Sequence, residues 1–76
     1  MSRTTLDVKG LACPLPVLRA NKALRPLAPG DKLEVLATDP AAPADFVQFC
    51  ETAGHALVSS DETGGVFTIV VKKKGG

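Results

Sequence analysis

The sequence predicts an α+β fold, a two-layer α/β sandwich of order βαβαββ in which two helices cover one face of a mixed four-stranded sheet. Three observations point to it. The chain opens strand, helix, strand, which makes the first two strands parallel neighbours joined by a right-handed crossover. It closes on two β-branched stretches around a glycine turn, an antiparallel hairpin. Its 76 residues, 45% of them apolar, suffice for one compact core and leave no room for a second, so residues 1–76 read as a single domain.

Each element has its own signal. Thr4-Thr5-Leu6-Asp7-Val8 is short, β-branched and alternating, a first strand that runs through Lys9-Gly10 toward Cys13. From Pro14 to Arg25 the apolar positions Val17, Ala20 and Leu24, followed by Leu27, recur at helical spacing, while Arg19, Lys22 and Arg25 lie on another side. Pro26 stops this helix because it disfavours α backbone at Arg25. Pro29-Gly30-Asp31 is a turn, and Lys32 to Thr38 a second strand with Leu33, Val35 and Ala37 on one face.

Asp39-Pro40 supplies an N-cap for a second helix, whose regular part begins at about Ala42 because of Pro43. Phe46, Phe49, Cys50 and Ala53 form its inward stripe, and Gly54 is its stop. His55 to Ser60 and Val66 to Val71 are the closing strands. The last strand is apolar on both faces. The open side of the sheet is therefore either a seat for a partner or second copy, or a surface with a few exposed apolar residues, and the chain reads as a monomer or weak dimer.

The chemistry sits in Cys13-Pro14-Leu15-Pro16. Proline is tolerated in the first turn of a helix, so Pro14 reads as the first helical residue and Cys13 as the N-cap, with its side chain at the helix mouth. The positive end of the helix macrodipole then lowers the thiol pKa toward neutrality. Pro14 and Pro16 delete two first-turn donors and leave mainly the N–H groups of Leu15 and Val17 for the sulfur, so the expectation is an exposed, moderately activated nucleophile. Pro14, Leu15 and Pro16 shape its site.

Composition excludes much else. Formal charge is +1, which gives no global drive toward nucleic acid or membrane, and neither direct stable nucleic-acid binding nor a membrane is expected. The apolar runs are too short to span a bilayer, and no signal-peptide stretch follows Met1-Ser2-Arg3-Thr4, so a cytoplasmic protein is expected. Two cysteines make no disulfide framework, and with one histidine and no C-x-x-C, neither a metal nor a cofactor is expected.

The lack of C-x-x-C also disfavours a thioredoxin-like oxidoreductase, and covalent hydrolysis lacks a convincing base. Group carriage remains: a thiolate can take the outer sulfur of a persulfide and lose it to an acceptor thiolate by the displacement logic of disulfide exchange.

The other chemistry-bearing residues have plain readings. Cys50 lies on the inward stripe and reads as a buried apolar filler, His55 as a surface residue, Asp39 as the N-cap, and Lys72-Lys73-Lys74 as a solvated tail. Arg19, Lys22 and Arg25 either steer an acidic partner toward the cysteine end or solvate the helix.

Gly10-Leu11-x-Cys13-Pro14-x-Pro16, followed by Pro29-Gly30-Asp31, Ala37-Thr38-Asp39-Pro40-Ala41, Asp45-Phe46, Phe49-Cys50 and Gly54-His55-x-Leu57, resembles the TusA/SirA family of small sulfur-carrier proteins over nearly the whole chain. The resemblance implies a cytoplasmic sulfurtransferase. In it the cysteine matching Cys13 accepts persulfide sulfur from a cysteine desulfurase and passes it to an acceptor protein, as for 2-thiouridine in tRNA. Related members serve sulfur oxidation and receive sulfur from rhodanese-like donors. Two other classes stay open: a carrier using a thiocarboxylate on Gly75-Gly76, and a non-enzymatic interaction or regulatory module.

Overall fold

In the computed structural model, which describes residues 3–75, the elements are β1 (Arg3–Asp7), α1 (Leu15–Leu24), β2 (Lys32–Ala37), α2 (Ala42–Ala53), β3 (Ala56–Thr63) and β4 (Val66–Lys72). Met1, Ser2 and Gly76, the last being half of the Gly-Gly terminus, lie outside the described residues. The sheet order is β1-β2-β4-β3. β1 runs parallel to β2 and β3 antiparallel to β4, as the strand-helix-strand opening and closing hairpin require, and β4 also pairs antiparallel with β2. The expected βαβαββ sandwich is therefore the observed one.

Alternation explains which side of the sheet is buried. Leu33, Val35 and Ala37 of β2 stand in register with Val71, Ile69 and Phe67 of β4, and in-register partners share a face. Those of β2, with Ile69 and Val71, are buried against Ala20 and Leu24 of α1 and Ala42, Phe46 and Cys50 of α2. Phe46 is 0% exposed and is the largest fully buried side chain. Pro16 is buried too, so one of the prolines expected to shape the thiol site packs into the interior.

The opposite face is largely polar. Val70 is only 2% exposed there, between Glu34 of β2 and Ser59 of β3, and the Thr5 hydroxyl donates to Glu34 Oε1 at 3.2 Å beside it. The large exposed apolar side chains are elsewhere: Leu15 and Leu18 on α1, Val47 on α2, and Val58 at a bulge in β3 between Leu57 and Ser59.

Both helices end as their sequences dictate, but by different means. Gly54 takes a left-handed conformation, φ 83°, and donates its N–H to the Cys50 carbonyl at 2.8 Å. α1 has no such glycine. Its last carbonyls are capped from across the molecule by Lys73, whose Nζ donates to Leu24 O at 2.6 Å and Arg25 O at 3.1 Å. The Lys73 backbone also pairs with Gly30 and Asp31. The lysine run is thus not simply a solvated tail.

Nor is His55 simply a surface residue. Its Nδ1 accepts the Lys74 N–H at 3.0 Å, and its ring lies 5.7 Å from that of Phe49. Burial and the nearby Lys74 and Lys73 charges push its pKa down. The neutral form is the one the fold uses, because a protonated Nδ1 cannot accept.

Two outcomes follow for stability. Phe46→Ala removes a fully buried ring and should cost about 3 to 5 kcal/mol, a large part of what about 0.05 to 0.15 kcal/mol per residue provides, read as a fall in the urea midpoint. A histidine depressed in the folded state stabilises fully above its unfolded pKa, and that contribution fades as pH falls through it. The urea midpoint should therefore decline below about pH 6.5, and His55→Gln should flatten that decline.

Candidate functional site

Because β1 and β2 are parallel, their C-terminal ends meet at one edge of the sheet, where α/β folds commonly place ligands. The segment leaving β1 carries Cys13; the one leaving β2 carries Thr38 and Asp39. The ladder continues one step past β1, with Val8 N–H donating to Leu36 O at 2.8 Å. From there side chains take over. Gly10 N–H donates to Thr38 Oγ1 at 2.9 Å, and Cys13 N–H to Asp39 Oδ2 at 2.7 Å. The other oxygen of that carboxylate, Oδ1, accepts the Ala41 N–H at 3.1 Å.

This corrects the expected role of Asp39. The N-cap of α2 is Ala41, with Pro43 in the first turn, and no side chain caps it. Asp39 lies before the cap and joins the entry of α2 to the backbone of the thiol segment.

The start of α1 differs in a similar way. Pro14, not Cys13, is the N-cap, with φ −98° and ψ 15°, and the Cys13–Pro14 peptide is cis. Leu15, an expected donor to the sulfur, gives its N–H to Ala12 O at 2.9 Å. Pro14 and Pro16 have no N–H to offer. Of the two donors expected for the sulfur, only the Val17 N–H is left, so the positive helix end reaches the thiol through fewer donors than expected.

Carboxylates face the thiol instead. Cys13 is exposed and free, and its pKa is raised, contrary to the sequence expectation. A hydrogen bond to the Asp45 side chain is the largest cause, followed by desolvation and by the negative charges of Asp45 and Asp39. The same acidic neighbours stabilise the protonated sulfur and penalise the anion.

Cys13 borders a groove of about 290 Å³ that is also lined by Pro14, Val17, Asp45, Gln48, Phe49 and Thr52. Of the residues expected to shape the site, only Pro14 lines it; Leu15 points elsewhere on the surface, 44% exposed, and Pro16 is core. Arg19 and Lys22 line a different depression with Leu6 and Ala23, and Arg25 is exposed at the far end of α1. Cys50 is 4% exposed and does not line the groove. Among the described residues no group of His, Cys, Asp and Glu could hold a metal ion.

The α2 wall was the part missed from sequence. Asp45, Gln48, Phe49 and Thr52 have i, i+3, i+4, i+7 spacing, one helix face beside the buried Phe46-Cys50 face. That spacing was visible, but nothing local says which face meets the thiol.

Asp45→Asn should lower the Cys13 pKa. Alkylation by iodoacetamide at about pH 7.5 should accelerate about three- to tenfold, the effect of losing one adjacent carboxylate; an unchanged rate would remove Asp45 as the controlling group.

Comparison with known proteins is consistent over the whole described fold. The family model described as sulfurtransferase TusA matches residues 4–73. The chain is 57% identical over 74 residues, 97% of its length and 100% of the other's, to a Neisseria meningitidis serogroup A protein provisionally named as a sulfur carrier. It is 47% identical over 68 residues, 90% of each chain, to the sulfur carrier protein TusA of Allochromatium vinosum. Among solved structures it is similar to a SirA-like protein of Desulfitobacterium hafniense, with TM-score 0.82 and 29% identity over 97% of this chain and 99% of that one. With the same βαβαββ sandwich and a match from the first strand to the end of the last, this chain belongs to the sulfurtransferase TusA family of sulfur carriers.

Proposed function

We propose that Cys13 is the atom that carries the sulfur. The observation behind this reading is its placement: of the two cysteines, Cys13 is exposed at the mouth of a groove between α1 and α2, whereas Cys50 is buried. In uptake, the Cys13 thiolate attacks the outer sulfur of a donor persulfide. A sulfur–sulfur bond forms to Cys13, the donor's own sulfur–sulfur bond breaks, and the donor leaves as a thiolate. Delivery is the same displacement in reverse sense, with an acceptor thiolate attacking and Cys13 leaving. The transferred sulfur keeps its oxidation state throughout, so no external oxidant or reductant takes part.

The donor is a cysteine desulfurase or a rhodanese-like protein, and the acceptor a downstream protein of tRNA 2-thiouridine synthesis or of a sulfur-oxidation route, in the cytoplasm. The name of the Allochromatium vinosum relative gives the carrier role without a pathway. Arg19 and Lys22, side by side in their own depression, suit an acidic partner surface set apart from the thiol. No helix among the described residues is long and apolar enough to cross a membrane.

Intact mass spectrometry tests the carrier reading. After incubation with a cysteine desulfurase and cysteine, the protein should gain the mass of one sulfur atom, lose it to reductant, and gain nothing as Cys13→Ser. A gain that persists in Cys13→Ser would move the sulfur to another group, and the Gly75-Gly76 terminus would be examined next. No gain from either a desulfurase or a rhodanese would leave an interaction module.

A further inference from the structure

A sulfur carrier asks opposite things of its sulfur at two moments. During uptake the Cys13 sulfur is a nucleophile and works as an anion. During delivery the outer sulfur of the loaded carrier is the electrophile. Persulfides are stronger acids than thiols, and an ionised outer sulfur repels an incoming thiolate and resists displacement. A site built for delivery therefore has to disfavour negative charge where the outer sulfur sits.

The groove beside Cys13 has that character. Pro14, Val17 and Phe49 give it apolar walls, which solvate an anion poorly. Among the described residues that line it there is no lysine, arginine or histidine, and the one charged group is Asp45. The charged groups facing the Cys13 sulfur are Asp45 from α2 and Asp39 from the segment before it, both negative, and α1 presents none to it. Of the first-turn donors that would have favoured an anion, two are absent, at Pro14 and Pro16, and the Leu15 N–H is diverted, which leaves that of Val17. With about 290 Å³ of open volume, the groove has ample room for one additional sulfur.

We propose that Asp45 is a positioning residue for sulfur delivery: its carboxylate, lining the groove with Cys13, keeps the outer sulfur of the loaded carrier protonated so that an acceptor can attack it. This rests on the reading of Cys13 as the carrier atom. In the step, the acceptor thiolate forms a bond to the outer sulfur as the Cys13 sulfur–sulfur bond breaks. The electron pair leaves on the Cys13 sulfur, and the proton stays on the transferred sulfur. The emptied carrier then takes up one proton from solvent, a state the same carboxylates favour, which opposes reversal. Asp45 also lies in the first turn of α2, where an acidic residue stabilises a helix whatever the site does. The two roles predict different chemistry.

The test loads wild type, Asp45→Asn and Asp45→Glu with inorganic polysulfide, so that loading depends on no protein donor, and verifies the adduct by intact mass. A neutral water-soluble trialkylphosphine then takes the outer sulfur as phosphine sulfide, and its rate is followed between about pH 6 and 9. An uncharged probe is not steered by the carboxylates, and its own protonation cancels between variants. Asp45→Asn should deliver about three- to tenfold more slowly near pH 7.5, with its rate falling off at lower pH than in wild type, while Asp45→Glu stays near wild type. Empty Asp45→Asn alkylates faster over the same range, and this opposition of sign is what a merely structural role would not give. A loaded Asp45→Asn that delivers as fast as wild type overturns the proposal, as does an Asp45→Glu as slow as Asp45→Asn. Wild type that takes up no sulfur on Cys13 overturns the carrier reading itself, and this proposal with it.

Discussion

The Asp39 carboxylate, shared between the N–H groups of Cys13 and Ala41, is the interaction on which the arrangement of the site depends. Beyond Val8 the chain has left the ladder, yet its N–H groups still need partners. Thr38 and Asp39 supply them from the adjacent end of β2, and the parallel pairing of β1 with β2 is what brings the two ends together. One charge-assisted bond of 2.7 Å thereby fixes the thiol segment to the strand, and the second oxygen fixes the start of α2 to the same point. The two walls of the groove are referenced to a single side chain.

That solution has an electrostatic consequence. A carboxylate that orders a loop by accepting its N–H also lays negative charge next to whatever the loop carries, and here it carries a thiol. Asp45 adds to it from the first turn of α2, where its charge suits the helix. The prolines that define the helix entry remove two of the donors that would have offset these charges, and Leu15 gives its own to Ala12. The general expectation that helix N-termini activate thiols holds only where the first-turn donors are free to point at the sulfur.

The fold was legible because each element carried two agreeing signals. α2 had an apolar stripe at Phe46 and Cys50 and a glycine stop at Gly54; β2 had strict alternation between a Pro-Gly-Asp turn and an Asp-Pro step. Cys13 stood out as the candidate nucleophile because it precedes Pro-x-Pro, and it lies exposed and free beside the groove. Its electrostatic setting was not, because the deciding groups lie 26 and 32 positions away, at Asp39 and Asp45, and meet it only through strand pairing and helix packing. His55 and Lys73 were read as surface residues for the same reason: their partners, Lys74 and the carbonyls of Leu24 and Arg25, are distant in sequence or belong to backbone, which leaves no pattern.

Three consecutive lysines, Lys72 to Lys74, follow the apolar part of β4, and they are not equivalent. Lys73 reaches across to the carbonyls that end α1, while Lys72 is exposed and Lys74 takes part through its backbone N–H. Acetylation of Lys73 would remove the cation that satisfies those carbonyls; acetylation of Lys74 would relieve part of the charge that depresses His55, and acetylation of Lys72 would change only surface charge. The far end of α1 would fray, yet the thiol segment would stay where β2 holds it. Within one short helix, the end beside Cys13 and the end that bears the cap can therefore be modified independently.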